Sequence, residues 1–146
     1  MYKILQRIDE IKAMAIVRTD SIERACEIAD GLIKGGVPIM EISFTLSNAN
    51  DVIKALRERY KDTLLVGAGT VLDSETARLA ILAGAQFIIA PNLSLDVAKT
   101  CNRYRIPICQ DAPVSQKQST GLEAGASMIK AFPHLKLLWS RFNQCI

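Results

Sequence analysis

The chain has 146 residues, of which 49% are hydrophobic and 23% charged, and a net charge of +3. That length supports one domain with a real core, and the balance is that of a soluble globular protein rather than a disordered one. So slight a charge, with no basic cluster interleaved with aromatics, argues against nucleic acid. No stretch reaches the ~20 apolar residues that cross a bilayer.

The N-terminus "MYKILQRIDEIKAMAIVR" mixes charges into its apolar residues, which is not the pattern of a signal peptide. From there, short β-like runs alternate with helical patterns. "KAMAIVR" (12–18) predicts a strand and "SIERACEIADGLIKGG" a helix, with Ile22, Ala25, Ala29 and Ile33 at three- and four-residue steps. Ser21 is placed to cap that helix and Gly35–Gly36 to stop it. "IMEISFT" (39–45) is the next strand and "ANDVIKALRERY" the next helix. "LLVGAGTV" (64–71) precedes "DSETARLAILAGA", where Asp73 or Ser74 caps and Gly84 stops the helix. "FIIAPN" (87–92) leads into "SLDVAKTCNRYR", and "IPICQDA" (106–112) into a weaker helix ending "GLEAGA". A sixth strand, "SMIKAFP", covers 127–133.

Strands apolar on both faces with helices between them imply a parallel sheet covered by helices. Both a doubly wound open sheet and part of a (β/α) barrel fit. Arg18, Glu41, Thr45, Thr70, Asn92 and Lys130 fall within strands or at their C-terminal ends. In a barrel those ends converge on one mouth, whereas an open sheet gathers its polar residues at one crevice. Polar residues on five different strands favour the barrel. A full barrel needs eight units, so the expected fold is α/β, an incomplete (β/α)8 TIM barrel with about six of eight strand-helix units. The expected division is a partial barrel domain over 1–133 and a separate C-terminal tail over 134–146.

Lys130 stands in the middle of an apolar run, between Ile129 and Ala131. Burial disfavours an ammonium and leaves a neutral amine, able to attack a carbonyl and form a Schiff base; an edge-strand lysine reaching solvent is the plainer reading. Glu41, inside "IMEISFT", needs either a partner such as Arg18 or a role as general acid/base. "GAGT" (67–70) lacks the lysine and spacing of a nucleotide-binding loop and reads as close backbone packing at the strand ends. Cys26, Cys101, Cys109 and Cys145 show no metal-ligand spacing, so free thiols in a reducing cytoplasm are expected. His134, the only histidine, builds neither a metal site nor a triad by itself. No metal and no organic cofactor is expected.

Together, "EISFT", "GAGTVLDSETARLAILAGAQFIIAPNLS" and "IKAFP" resemble the class I, pyruvate-forming aldolases of sugar-acid breakdown. These are the 2-dehydro-3-deoxy-6-phosphogluconate and 4-hydroxy-2-oxoglutarate aldolases. The resemblance covers about residues 3 to 108 and returns from 121 to 133. It implies a (β/α)8 barrel, a homotrimer, a small-molecule 2-oxo acid substrate and cytoplasmic residence. It implies Lys130 as the Schiff-base lysine and Glu41 as the general acid/base acting through water. Arg18 and Thr70 would hold the substrate's carboxylate and neighbouring polar groups, and Pro91 and Phe132 would line the pocket. Thr45 stands where some relatives carry an arginine, and is taken as a further substrate contact.

The chain departs from the family pattern in two places. After "IPI" the family has a Pro-Gly turn, where this chain has "CQDAPVSQKQS". After "FP" the family continues into a seventh and an eighth strand, where this chain has "HLKLLWSRFNQCI". Frameshifts over 109–119 and 134–146 would account for both. Cys109-Gln110-Asp111 read one base earlier can become x-Pro-Gly, and "WSRFNQCI" read one base later can become a Gly-Pro helix start. The nucleotide sequence decides it. A barrel short of two strands leaves its first and sixth strands as edges and hydrates Lys130, so low aldolase activity is expected. The alternative is a non-catalytic barrel fragment acting only as a subunit or interaction partner.

Overall fold

The computed structural model describes residues 1–111 and 115–130, apart from the side chains of 115–117. Phe132, the expected strand residues 131–133, the Lys117 side chain and the tail 134–146 lie outside the described residues. Among the described residues six helices alternate with six strands: α1 (Tyr2–Ile11), β1 (Ala15–Val17), α2 (Ile22–Lys34), β2 (Ile39–Ser43), α3 (Ala49–Tyr60) and β3 (Leu65–Gly69). They continue as α4 (Ser74–Leu82), β4 (Ile88–Ala90), α5 (Leu95–Arg103), β5 (Ile108–Asp111), α6 (Ser115–Glu123) and β6 (Met128–Lys130).

The strands form one sheet in the order β1-β2-β3-β4-β5-β6, and every neighbouring pair is parallel. A doubly wound sheet reverses its strand order at a switch point. Here each strand lies beside its successor in the chain, and no reversal occurs. Among the described residues β1 and β6 are the two ends of the sheet.

Period-two alternation divides the strand residues between two apolar layers. On one face Met40, Ile42, Val66, Ala68, Ile88, Ala90 and Ile108 pack against Ala25 and Ala29 of α2, Val52, Ile53 and Leu56 of α3, Ala77 and Ala80 of α4, and Val97 of α5. On the other face Ile39, Leu65, Phe87 and Ile89 form a second cluster. Ile4, Ile8 and Ile11 of α1, with Met14, close that cluster at the N-terminal end of the strands. Fully burying each large apolar side chain is worth about 1.5–3 kcal/mol.

Local signals set the helix ends. The hydroxyl of Ser21 accepts from the Arg24 N–H at 3.1 Å, Asp73 Oδ1 accepts from the Thr76 N–H at 2.6 Å, and Ser94 Oγ accepts from the Val97 N–H at 3.4 Å. Asp73 rather than Ser74 is therefore the cap of α4. Gly84, at φ 98°, takes the left-handed turn that ends it. The Tyr60 hydroxyl ties α3 to α2, 2.9 Å from the Cys26 carbonyl and 2.8 Å from Asp30 Oδ1.

The N-terminal region differs from the sequence expectation in two ways. The segment 12–18 contributes only Ala15–Val17 to the sheet, because Lys12 turns left-handed at φ 56° to end α1. Helix α1 itself was absent from the expected elements.

Candidate active site

Glu41 lies at the centre of β2 and is 3% exposed. It shares its face with Ile39 and Ser43, the face opposite Met40 and Ile42. Its side chain extends across the neighbouring strand, where Gly69 leaves room for it. A Cβ at Gly69 would fall 2.6 Å from Glu41 Cγ and overlap the carboxyl group. Gly67, two residues earlier on the same face, leaves the same room for the Phe87 ring, whose Cδ2 would lie 2.5 Å from an added Cβ. The glycines of "GAGT" thus seat two side chains, one polar and one aromatic, rather than a phosphate.

Burial pushes the Glu41 carboxyl above the usual carboxylate range, and the charges of Lys130 and Arg18 pull against that rise. Glu41 Oε2 is buried without a hydrogen-bond partner among the described residues. Lys130, at the C-terminal end of β6, is half-buried. Its partner in register is Asp111 of β5, and Met128 two residues earlier pairs with Cys109. Burial pushes the Cys109 thiol up to about 11; Lys130 opposes that shift, while Glu41 and Asp111 add to it. Cys109 and Asp111 share one face of β5 with their register partners Met128 and Lys130 on β6, the face that also carries Ile89 and Phe87.

A row of hydroxyls continues the site beyond β2. Ser43 Oγ lies 2.9 Å from Thr70 Oγ1, and Thr45 Oγ1 donates to Ser43 Oγ at 3.3 Å. Thr70 is held at φ 58°, a left-handed conformation that a β-branched residue adopts only at a cost. That turn directly follows β3 and brings the hydroxyl to Ser43.

The residues singled out from the sequence fare differently. Glu41 feels the charges of both Lys130 and Arg18. Thr45 and Thr70 are joined through Ser43. Arg18, just past β1, and Pro91, just past β4, are exposed. Ser43 and Asp111 were not singled out. Ser43 was within reach of the two-residue period, since it follows Glu41 on the same face. Asp111 lies at a strand's C-terminal end like the residues that were chosen, yet its neighbourhood depends on the β5–β6 register. Among the described residues no three His, Cys, Asp or Glu side chains gather to hold a metal ion, and no helix is long and apolar enough to cross a membrane.

Residues 4–137 match the family described as "Aldolase: KDPG and KHG aldolase". The chain is similar to a 2-dehydro-3-deoxy-phosphogluconate aldolase of Treponema pallidum, 35% identical over 133 residues, which cover 91% of this chain and 63% of that protein. A 2-dehydro-3-deoxy-phosphogluconate aldolase of Haemophilus influenzae is 33% identical over 131 residues, covering 90% of this chain and 61% of the relative. The chain thus spans about three fifths of the length of those relatives. A crystal structure of a 4-hydroxy-2-oxoglutarate/2-dehydro-3-deoxyphosphogluconate aldolase from TTHB1 superposes with a TM-score of 0.84 at 28% identity, over 94% of this chain and 68% of that one. A match along nearly the whole chain, in sequence and in fold, shows its family: the chain belongs to the KDPG and KHG aldolase family.

Proposed function

We propose that the site performs class I aldol cleavage of 2-dehydro-3-deoxy-6-phosphogluconate or 4-hydroxy-2-oxoglutarate, giving pyruvate and an aldehyde. The observation that carries this reading is Glu41, buried on the sheet with an unpartnered oxygen and with Lys130 and Arg18 as its cationic neighbours. A carboxyl raised by burial suits a group that takes and returns protons near neutral pH.

The lone pair of Lys130 Nζ adds to the C2 carbonyl, and the carbinolamine loses water to an iminium that serves as an electron sink. Glu41, through a water, takes the proton of the C4 hydroxyl as the C3–C4 bond breaks and the aldehyde leaves. The electron pair of that bond passes into the enamine. Protonation at C3 and hydrolysis release pyruvate and return the lysine. Arg18, Thr45 and Thr70 bind the substrate's carboxylate and adjacent oxygens, with Ser43 aligning the two threonine hydroxyls. Pro91 lines the pocket on the same reading, and Phe132, also expected there, lies outside the described residues. The strand order without reversal supports a (β/α)8 barrel of which this chain carries six units. Homotrimer assembly and cytoplasmic residence belong to the same reading, and the free thiols Cys26, Cys101 and Cys109 accord with a reducing compartment.

A second reading is a non-catalytic subunit. One observation favours it: Ile16, in register with Glu41 on the same face, is 47% exposed, so water reaches the flank of the site. Pyruvate release from either substrate, followed by a coupled reduction, separates the two. The first reading expects slow release that Lys130→Ala abolishes. The second expects no release from a folded chain of any assembly state.

A further inference from the structure

Asn48 is the N-cap of α3, yet its side chain makes no capping bond to that helix. An asparagine in that place ordinarily accepts from an N–H of the first turn. Here Nδ2 donates instead to the Asp20 carbonyl at 2.5 Å, across 28 residues of sequence. Oδ1 is left buried with no hydrogen-bond partner among the described residues, an arrangement that an amide oxygen bears only at a cost. The bond ties the turn between β2 and α3 to the turn between β1 and α2. Those two turns carry Thr45 and Arg18.

Arg18 therefore stands between two fixed points. Val17 before it is paired in register with Ile42 of β2. Asp20 after it is held by Asn48, and the Ser21 N–H donates to Thr19 Oγ1 at 3.2 Å to close the turn. Arg18 is exposed and no ion pair among the described residues holds its guanidinium, so its position is set through its backbone. Its charge nonetheless reaches Glu41. Resting on the reading of Arg18 as a contact for the substrate's carboxylate, we infer that Asn48 is a positioning residue: by clasping the Asp20 carbonyl it holds Arg18 in place for the carboxylate of a 2-oxo acid. Ser43 has the corresponding part on the other side, where it joins Thr45 to Thr70. Without the clasp the β1–α2 turn drifts, and an arginine displaced by about 1 Å loses much of its hold on a carboxylate.

The test measures the concentration of pyruvate that half-saturates borohydride trapping on Lys130, beside that of its neutral methyl ester. Asn48→Ser leaves a side chain that caps α3 well and is too short to reach Asp20. Half-saturation by pyruvate is expected to rise about tenfold, while that by the ester stays unchanged. A general loosening of the chain would move both compounds alike. In an Arg18→Ala background Asn48→Ser adds nothing further, because it acts through that arginine. Should Asn48→Ser not fold, Asn48→Asp keeps the shape without the donor and must show the same loss for pyruvate. Half-saturation by pyruvate that is unchanged in the folded variant, or raised equally for the ester or in the Arg18→Ala background, overturns this inference and leaves the proposed function standing. Adducts on Lys130 in none of the folded proteins overturn both.

Discussion

Gly69→Ala tests how the chain seats its buried carboxyl. The new methyl carbon would lie 2.6 Å from Glu41 Cγ and overlap the carboxyl group. The backbone of β3 is held between β2 and β4, so the glutamate must give way. Overpacking of this kind costs about 1–3 kcal/mol, and each kcal/mol lowers Tm by roughly 2–4 °C in a chain of this size. The decisive consequence concerns pH. Burial raises the Glu41 carboxyl, so the folded chain holds that proton to a higher pH than the unfolded chain does. The stability from this group is complete below the ordinary glutamate value and falls as pH rises through the raised one. Evicted toward water, Glu41 loses its raised titration, and the decline goes with it. Gly67→Ala is the control: its methyl meets the fully buried Phe87 ring instead, costing about 1–3 kcal/mol while leaving the Glu41 pH dependence intact. Urea unfolding of the parent and both variants between pH 4 and pH 8 reads these terms. If Gly69→Ala keeps the parental decline with pH, the carboxyl is not seated across Gly69 and the reasoning fails.

Three further outcomes follow from the same geometry. Glu41→Gln removes the decline in stability with rising pH and lowers pyruvate release by about 10²–10⁴-fold, as expected for a lost proton-transfer group; unfolding titrations and the coupled assay check the two effects separately. Lys130→Met removes the first of the two charges that offset burial of Glu41, so stability falls at neutral pH and is spared near pH 4, a difference that unfolding at the two pH values detects. Tyr60→Phe leaves the Cys26 carbonyl and Asp30 without their shared hydroxyl and costs about 1–3 kcal/mol in urea unfolding, with no effect on the site.

Much of this architecture was legible in the chain. The helix over 49–60 was placed at its observed ends, and Ser21, Ser94 and Gly84 mark boundaries that the structure keeps. Those signals are local, set by a side-chain oxygen or by a residue without Cβ. Helix α1 escaped notice because its charged residues were weighed only against a signal peptide. The spacing of Ile4, Ile8 and Ile11 carried the helical stripe. The expected strands ran longer than the observed ones because apolar residues continue into the turns, as Val71 does after β3.

The site was legible in part for a different reason. A charged residue inside an apolar strand draws attention by its cost, which singled out Glu41 and Lys130. Roles that depend on register do not show in one strand alone. That the Glu41 side chain lies over Gly69, two residues beyond its register partner Gly67, depends on the β2–β3 pairing, and that Asp111 is paired with Lys130 depends on the β5–β6 pairing. Ser43 joins Thr45 to Thr70 because Thr70 turns left-handed, a conformation that its side chain gives no reason to expect.

The most direct measurement is to incubate the folded chain with pyruvate and borohydride, digest it, and locate the modified residue. The account predicts a stable carboxyethyl group on Lys130, absent from Lys130→Ala and slowed in Glu41→Gln. A folded chain that acquires no adduct at Lys130, or acquires it equally on surface lysines, would contradict it.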